Sequence, residues 1–484
     1  MKVWNMAEFE FFGYSTGNPF TDYKIYGEFT GRNETKTVLG FYDGDGVYRI
    51  RFMPSFEGEY TYRVWGSFSD KEYTGSFFVD KAESHGMVRT DGRHFTYDDG
   101  TPYYSIGTTC YVWANQNEEA QAQTIETLKN SSFNKIRFCI FPKHYDYNYR
   151  DPICFPYKGT PIDNSDINKY NFYEYNENSS GNSWDFSVFN TEYFKLLDRG
   201  IESLMNLGIE ADIILFHPYD RWGFSKMPAW ANELYLEYVT ARFSAYRNVW
   251  WSLANEYDLC RHKTIEDWEH YAKIVTKNDP YHHLISIHNC VKLYDFSKPW
   301  ITHCSIQRQI GENELDNIGN WLDKYNKPVV IDEMCYEGNI EQYWGNISGE
   351  EMTRRMWKTV ILGAYPGHSE CYLNDDIWWS HGGKLCGESH KRVGFLHKIM
   401  TECGRLHPKE YTIAENDDGS VKLQYFGEHR PCYKIFNFEN EKYRIEIIDT
   451  WNMTVEDIGV HSGTVTITLP SCEYVAIRWK KICD

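Results

Sequence analysis

The spacing of apolar residues divides the chain into three stretches. Residues 1–82 alternate polar and apolar positions in short runs, separated by turn clusters such as Asp43-Gly-Asp-Gly46. A period of two predicts strands with one buried face, and this spacing of turns is typical of an immunoglobulin-like β-sandwich. The alternation returns over residues 408–484 and predicts a second, smaller β-sandwich.

Residues 83–407 show a different pattern, in which short apolar runs alternate with stretches of helical period. Eight such strand–helix units in about 320 residues predict a (β/α)8 barrel. The fold class is therefore α/β, with a central TIM barrel flanked by an N-terminal and a C-terminal β-sandwich. The predicted strands are residues 103–109, 135–141, 210–216, 249–255, 284–288, 301–306, 329–332 and a weakly patterned eighth at 363–372.

The segment after the second predicted strand, residues 142–190, is unusually long and rich in Tyr, Phe and Asn. Long loops inside compact domains are usually functional, and loops that follow barrel strands lie on the face that carries the active site. We therefore expect this segment to form a wall of a ligand pocket, with a surface excursion as the alternative.

Composition narrows the classes of partner. The 484 residues include 69 acidic and 50 basic side chains, giving a net charge of −19 without a basic cluster. This charge argues against nucleic acid and against an anionic membrane surface as partners. Aromatic residues make up 17% of the chain, which suits stacking on flat sugar rings as well as the filling of cores.

Cysteine usage and the N-terminus bear on the compartment. The 13 cysteines form no CxxC pair, and the first residues lack the apolar core of a signal peptide. No apolar run reaches the length of a membrane span. These features predict free thiols and a cytoplasmic location.

Two predicted strands deliver a glutamate to the barrel mouth. The run Val249-Trp-Trp-Ser-Leu-Ala-Asn-Glu256 ends the fourth strand, and Pro328-Val-Val-Ile-Asp-Glu333 ends the seventh. Glycoside hydrolysis needs one carboxylic acid for the leaving oxygen and one carboxylate at the anomeric carbon. Glu256 and Glu333 are therefore the predicted catalytic pair, with no metal or other cofactor required. Strand alternation is expected to turn Asp332 to the opposite face, and Glu337 and Glu370 are the alternative nucleophiles.

Other polar and aromatic residues are predicted to lie at the same mouth. Sugar hydroxyls are well matched by mixed donors and acceptors beside an aromatic ring, and one of two adjacent tryptophans would supply the floor. The three histidines of this set could instead hold a metal ion, or fill the core. The predicted substrate-binding residues are Asn255, Arg137, His217, Asp220, Trp222, His288, His303, Gln307, Trp378 and Trp379.

An Asn-Glu pair after strand four and a glutamate after strand seven resemble the clan A retaining glycoside hydrolases. The resemblance implies that Glu256 is the acid/base, that Glu333 is the nucleophile and that Asn255 meets a substrate 2-hydroxyl. The resemblance also implies an arginine on strand two that could bond the nucleophilic carboxylate, and Arg137 fits this position.

At finer grain, the chain resembles bacterial glycosidases that have an apiosidase-like barrel between an immunoglobulin-like domain and a small β-domain. The motifs that carry this resemblance are Asn18-Pro-Phe, Gly208-Ile-Glu-Ala-Asp-Ile-Ile-Leu-Phe-His-Pro, Trp250-Trp-Ser-Leu-Ala-Asn-Glu-Tyr-Asp and Ile285-Ser-Ile-His-Asn.

Together these patterns predict a metal-independent retaining exo-β-glycosidase that acts on short glycosides. Two alternatives from other classes are a carbohydrate-binding barrel without catalysis and a metal-dependent hydrolase that uses the histidines. The expected partner is a small carbohydrate, and a homo-oligomer is left open. The predicted domains are residues 1–82, 83–407 and 408–484.

Overall fold

A computed structural model describes residues 1–163, 165–176, 179–309, 312–374, 377–410 and 412–482. Its largest sheet has eight parallel strands in the order β5-β4-β3-β2-β1-β8-β7-β6, and an isolated bridge between His288 and Ser305 nearly closes it into a ring. The sheet is consistent with a TIM barrel. Its strands are β1 (Gly107–Thr109), β2 (Lys135–Cys139), β3 (Glu210–Phe216), β4 (Val249–Ala254), β5 (Ile285–Ser286), β6 (Cys304–Gln307), β7 (Val329–Glu333) and β8 (Tyr365–His368).

Seven helices of eight residues or more accompany these strands in the described part of the chain. Sequence signals set their ends: Thr264 and Asp267 form a capping box at the start of α4, and Gly208 adopts a left-handed conformation just after α2. The helices are α1 (Glu118–Lys129), α2 (Thr191–Leu207), α3 (Ala229–Phe243), α4 (Ile265–Asn278), α5 (Ile318–Tyr325), α6 (Gly349–Ile361) and α7 (Val393–Cys403).

One predicted strand–helix unit lacks its helix. Residues 287–303, which are all described, join β5 to β6 through turns and bends rather than a helix. The stretch Asp295-Phe-Ser-Lys-Pro299 is rich in turn-forming residues, and Pro299 would interrupt a helix. The prediction of eight complete units is wrong at this position.

The first 80 residues form two antiparallel sheets of three and four strands, whose core includes the stacked rings of Phe29 and Phe52. Their strands are Ala7–Phe12, Ile25–Gly31, Thr35–Leu39, Phe41–Tyr42, Val47–Phe52, Gly58–Gly66 and Tyr73–Val79, and a short helix spans Pro19–Asp22.

A further antiparallel sheet (Val88–Asp91, His94–Tyr97 and Pro102–Tyr103) lies under the barrel, since Phe95 contacts Trp250 at the start of β4.

The last part of the chain forms a six-stranded antiparallel sheet and a two-stranded one, which pack around Ile445, Ile477 and Trp479. The domain boundaries at 82 and 407, and the assignment of both flanking regions as sandwiches, stay predictions. The C-terminal strands are Leu406–Glu410, Ile413–Asn416, Val421–Tyr425, Tyr433–Asn437, Tyr443–Asp449, Thr454–His461, Thr464–Thr468 and Val475–Lys481.

The 142–190 segment contains a hairpin made of Tyr157–Thr160 and Ser183–Phe189. The hairpin is tied to the N-terminal region, because the Asn18 amide donates to the Ser187 carbonyl at 3.0 Å and to its hydroxyl at 2.9 Å. Phe20 packs edge-to-face on Phe189 beside this tie. A segment with few regular elements is thus anchored at its base.

Two predictions about the chain's character can be compared with the described residues. The 12 described cysteines are free thiols, and Cys483 lies outside the described residues. Across that same part of the chain, every helix falls short of the length and apolar character that a bilayer-spanning segment requires.

Candidate active site

Glu333 ends β7 and is surrounded by hydrogen-bond donors. Its Oε1 accepts from the Tyr111 hydroxyl and from Arg137 Nη1 at 3.4 Å, and its Oε2 accepts from Gln309 at 3.3 Å. Burial and the like charge of Glu256 raise the pKa of Glu333 to about 7, against the opposing effects of Arg137 and Tyr111. The raised pKa means that the Glu333 carboxyl is harder to ionise here than in water.

Glu256 stands directly after β4 with a φ of 50°, in the left-handed region that residues other than glycine rarely adopt. Its Oε2 accepts from the Tyr219 hydroxyl and from Asn255 Nδ2 at 3.3 Å. The next amide, of Tyr257, donates to the His288 carbonyl at 2.9 Å, which fixes the turn. Strained backbone at a polar strand end is a recurrent feature of functional sites.

Arg137 and Asn255 connect the two glutamates. Arg137 Nη1 lies 2.7 Å from Asn255 Oδ1, and the amide of the same asparagine donates to Glu256. The Tyr111 hydroxyl is also 3.3 Å from Asn255 Oδ1. The structure therefore brings Glu256, Glu333, Asn255 and Arg137 into one network at the carboxyl ends of the strands.

Buried polar atoms around this network lack partners among the described residues. The Arg137 guanidinium is hydrogen-bonded through Nη1 alone, and the His288 ring makes no hydrogen bond although its Nε2 lies 4.0 Å from Glu333 Oε1. Burial lowers the pKa of His288 well below its ordinary value, which keeps the ring neutral. Because buried polar atoms are rarely left unbonded, such a cluster indicates a ligand site. The unpartnered atoms are Arg137 Nε and Nη2, His288 Nδ1 and Nε2, His217 Nδ1, Gln307 Oε1, Tyr336 Oη and Trp379 Nε1.

Of the two adjacent tryptophans, Trp379 faces the site and Trp378 faces the barrel wall. Trp378 donates its indole N–H to Thr108 at 2.8 Å and packs in the main core. The Trp379 ring contacts Tyr111 and Tyr145, with centroids 5.3 and 5.9 Å away. Trp378 is therefore corrected to a core residue.

A buried lysine that the sequence analysis did not single out lies over these rings. Lys143 is 4% exposed, and its ammonium lies 3.5 Å from the Tyr111 centroid and 4.4 Å from those of Tyr219 and Trp379. Burial lowers its pKa to about 8. Lys143 also borders a cavity of about 840 Å³ whose lining includes Trp222.

A second ionic cluster fills the barrel below the site. Lys135 Nζ donates to Asp212 and to Asp332, each at 2.8 Å, and Asp332 also accepts from Ser305 at 2.5 Å. The expectation that Asp332 faces away from the barrel is wrong. Pairing between β6 and β7 shifts by one residue at this point, and the resulting bulge turns both Asp332 and Glu333 inward.

Two further predicted residues lie elsewhere than expected. His303 precedes β6 and contacts Phe95 and Trp250 at the opposite end of the barrel, so it is not at the mouth. Both Asp220 oxygens are taken up by the 222–225 loop, including Ser225 N–H at 2.7 Å. Asp220 therefore orders a loop rather than offering a carboxylate to a ligand.

The other predicted residues border the site. His217 follows β3 and contacts the Phe141 carbonyl at 3.3 Å, while Gln307 pairs with Glu333 across neighbouring strands. Trp222 donates its indole N–H to Asp151 at 2.9 Å and lines the cavity beside Lys143. None of these three side chains hydrogen-bonds to the carboxyl group of Glu256 or Glu333.

The alternative nucleophiles, Glu337 and Glu370, bind the backbone of a loop. Glu337 accepts from the Glu388 and Ser389 amides at 2.7 and 2.9 Å, and Glu370 accepts from the Cys386 and Gly387 amides at 2.7 and 2.8 Å. The two glutamates hold the 386–389 loop, and neither replaces Glu333.

The structure does not assemble the histidine ligands of the predicted metal alternative. His217, His288 and His303 do not come together, and the one group of suitable geometry among the described residues is Glu337, His368 and Glu370. Because the same backbone amides and Ser389 occupy these carboxylates, the group holds a loop.

Sequence reasoning missed Tyr111, Tyr219, Lys143 and Gln309. Each lies in an irregular stretch just beyond a strand, where no hydrophobic period marks a direction. The available signal was position alone, since all four follow β1, β2, β3 or β6 by two to four residues.

Comparison with known proteins gives this site a class. A crystal structure of a "putative glycoside hydrolase" from Bacteroides vulgatus is 35% identical, with 99% of each chain covered and a TM-score of 0.91. A family 5 glycoside hydrolase from the same species is 14% identical over 82% of this chain and 94% of that one, with a TM-score of 0.63, which shows the fold alone. The chain is thus an enzyme of the glycoside hydrolase class.

Within that class it belongs to the family of the 35% identical Bacteroides vulgatus protein. Its ends match two domains of unknown function, DUF5060 over residues 1–66 and DUF5605 over residues 410–480. A search of curated proteins found no match to the chain.

Proposed function

We propose that the protein is a retaining exo-β-glycosidase, with Glu333 as nucleophile and Glu256 as acid/base. The observation that carries this proposal is the linked pair of buried glutamates at the ends of β4 and β7, joined through Asn255 and Arg137. Two carboxyl groups at the mouth of a barrel are what double displacement at an anomeric carbon requires.

The distribution of donors supports this division of roles. Arg137, Tyr111 and Gln309 all point at Glu333 and stabilise its ionised form. In the first half of the proposed reaction Glu333 attacks the anomeric carbon as a carboxylate, and Glu256 acts as the acid that protonates the leaving oxygen. In the second half, Glu256 takes a proton from the water that releases the sugar from Glu333.

Exo action is supported by burial. Glu256 and Glu333 are 5% and 4% exposed, so neither side chain lies along an open surface cleft. A site enclosed in this way would admit the end of a glycan better than its middle. Trp379 is the proposed ring under the terminal sugar, and Asn255 the proposed partner of its 2-hydroxyl.

The test is hydrolysis of aryl β- and α-glycosides, including an apioside because of the resemblance to apiosidase-like barrels. We expect activity on a β-glycoside, retention of the product anomer by NMR, and labelling of Glu333 by the matching 2-deoxy-2-fluoro glycoside. Glu333→Gln should abolish both activity and labelling, whereas Glu370→Gln, which alters a loop-holding carboxylate, should keep them. Labelling of another residue, or an inverted product, would overturn the assignment.

A further inference from the structure

Lys143 is a buried cation without a counter-ion among the described residues. No described carboxylate lies within ion-pair distance of its ammonium, and no described acceptor lies within hydrogen-bond distance. The other buried lysine of the barrel, Lys135, has two carboxylates at 2.8 Å. An ammonium has three donors, and a buried charge is normally paired. Lys143 therefore lacks a partner that Lys135 has.

The nearby acids do not supply this partner. Tyr111 and Tyr219, the two rings closest to Lys143 besides Trp379, donate their hydroxyls to Glu333 and Glu256. The ammonium lies over the faces of these rings, so cation–π attraction holds it without using its N–H groups. Those groups stay available to a ligand that enters beside the catalytic pair.

The cavity beside Lys143 has a lining of mixed charge. Arg150 and Lys169 border it as well, and the acids of its wall are partly committed: Asp151 pairs with Arg221 at 2.6 Å and Asp146 accepts from Gln342 at 2.9 Å. Glu341, an exposed acid, also borders the cavity. The described lining thus balances basic and acidic side chains, and Lys143 is its buried cation without an ion-pair partner among the described residues.

We infer that Lys143 binds the anionic group of an acidic sugar, a carboxylate or a sulfate, and that acidic glycosides are the substrates of this site. The inference rests on the proposed function, because it names the substrate class of the same pocket. Burial lowers the pKa of Lys143 to about 8, so most of the ammonium is charged at neutral pH.

Binding can be measured apart from catalysis by calorimetric titration of the Glu333→Gln variant. The ligands are methyl β-glucuronide and methyl β-galacturonide, their neutral counterparts methyl β-glucoside and methyl β-galactoside, and the 6-sulfates of the two neutral sugars. We expect an acidic member to bind at least about tenfold more tightly than its neutral counterpart, the scale of a hydrogen bond to a charged group. The uronide and sulfate arms separate the two anions.

Lys143→Met in the same background should remove this preference, and Lys277→Met, which removes an exposed charge on α4, should keep it. Failure of every acidic ligand to bind better than its neutral partner overturns the inference, as does a preference that survives Lys143→Met. If Lys143→Met does not fold, the ratio of the affinities for acidic and neutral sugars in the Glu333→Gln protein decides the matter.

Hydrolysis separates this inference from the proposed function. Glu333-dependent cleavage of neutral aryl glycosides in preference to uronides would retain the glycosidase and overturn the acidic substrate. Lys143-dependent binding of an acidic sugar without cleavage of its aryl β-glycoside would retain the substrate class and overturn the proposed reaction.

Discussion

The foot of the barrel, around Lys135, and its mouth, around Glu256 and Glu333, hold the same kinds of residue in opposite arrangements. At the foot, Lys135 is bonded to Asp212 and Asp332, and Asp332 is also bonded to Ser305. At the mouth, Lys143 lacks a counter-ion among the described residues, and Arg137 leaves two nitrogens unbonded. Buried polar groups that are all bonded to one another stabilise the fold, whereas buried polar groups without partners can bind a ligand.

The contrast is sharpest between two neighbours in the sequence. Asp332 and Glu333 both point into the barrel because of the bulge in β7. Lys135 lowers the pKa of Asp332, whereas burial and Glu256 raise that of Glu333. Adjacent carboxylates thus differ in the sign of their contribution to stability at neutral pH.

The largest expected effect is on catalysis at the mouth. Glu333→Gln removes the proposed nucleophile and should lower kcat/KM by about 1,000-fold or more, because the covalent step has no substitute. Steady-state kinetics on the aryl glycoside identified by the panel measure the loss. An activity within tenfold of the parent would show that Glu333 is not the nucleophile.

At the foot we expect a loss of stability instead. Lys135→Met removes the ammonium that bonds to both Asp212 and Asp332 and leaves only Arg137 Nε, 4.0 Å from Asp212, which costs about 3–5 kcal/mol. Urea unfolding of Lys135→Met and of Lys143→Met measures the two losses of stability. The free energy of unfolding should fall much less in Lys143→Met, because Lys143 has no ion pair to break among the described residues. Equal losses in the two variants would remove the distinction between foot and mouth.

The pH dependence of stability should separate the two neighbouring acids. The pKa of Glu333 is raised in the folded state. Its contribution to the free energy of unfolding is therefore fully present below pH 4.5, its ordinary pKa, and is lost as the pH rises towards 7. Glu333→Gln should therefore be more stable than the parent at pH 8, by about 1–3 kcal/mol, with a smaller difference at pH 4.5.

Asp332→Asn is the matched control, because the pKa of Asp332 is lowered. Its contribution is present above pH 3.8 and is lost as the pH falls, so this variant should be less stable than the parent at pH 8. Thermal melts of both variants at the two pH values measure the difference. Shifts of the same sign would contradict the assignment.

The smallest effect concerns the acid limb of activity. Arg137 lowers the pKa of Glu333, so Arg137→Met should move this limb of the kcat/KM profile to higher pH by about one unit. The sign follows because the nucleophile must be ionised to attack. A limb that stays in place or moves to lower pH would show that Arg137 does not stabilise the Glu333 carboxylate.

Much of this arrangement could be predicted from the sequence, because apolar runs mark strands and their last polar residues mark the mouth. Glu256 and Glu333 lie together for this reason. His303 was placed at the wrong end of the barrel. The sixth strand begins at Cys304, so His303 precedes it. Asp332 was wrong because a bulge breaks the alternation that the prediction assumed.

Lys143, Tyr111 and Tyr219 show where such prediction ends. Their positions depend on how irregular segments fold over one another, with rings from three different loops meeting around one ammonium. No local period encodes such a meeting, because the contacts join residues far apart in the chain. The same holds for Trp379, which differs from Trp378 only in the side of a single helical turn.

The tie between Asn18 and Ser187 bears on the order of events during synthesis. The ribosome releases the chain from its N-terminus, so the strands before residue 80 can pair while later strands are still being made. The hairpin that contains Ser187 is made later than Asn18, the residue to which it bonds. We therefore expect the N-terminal sheets to fold first and to give this hairpin a surface on which to dock.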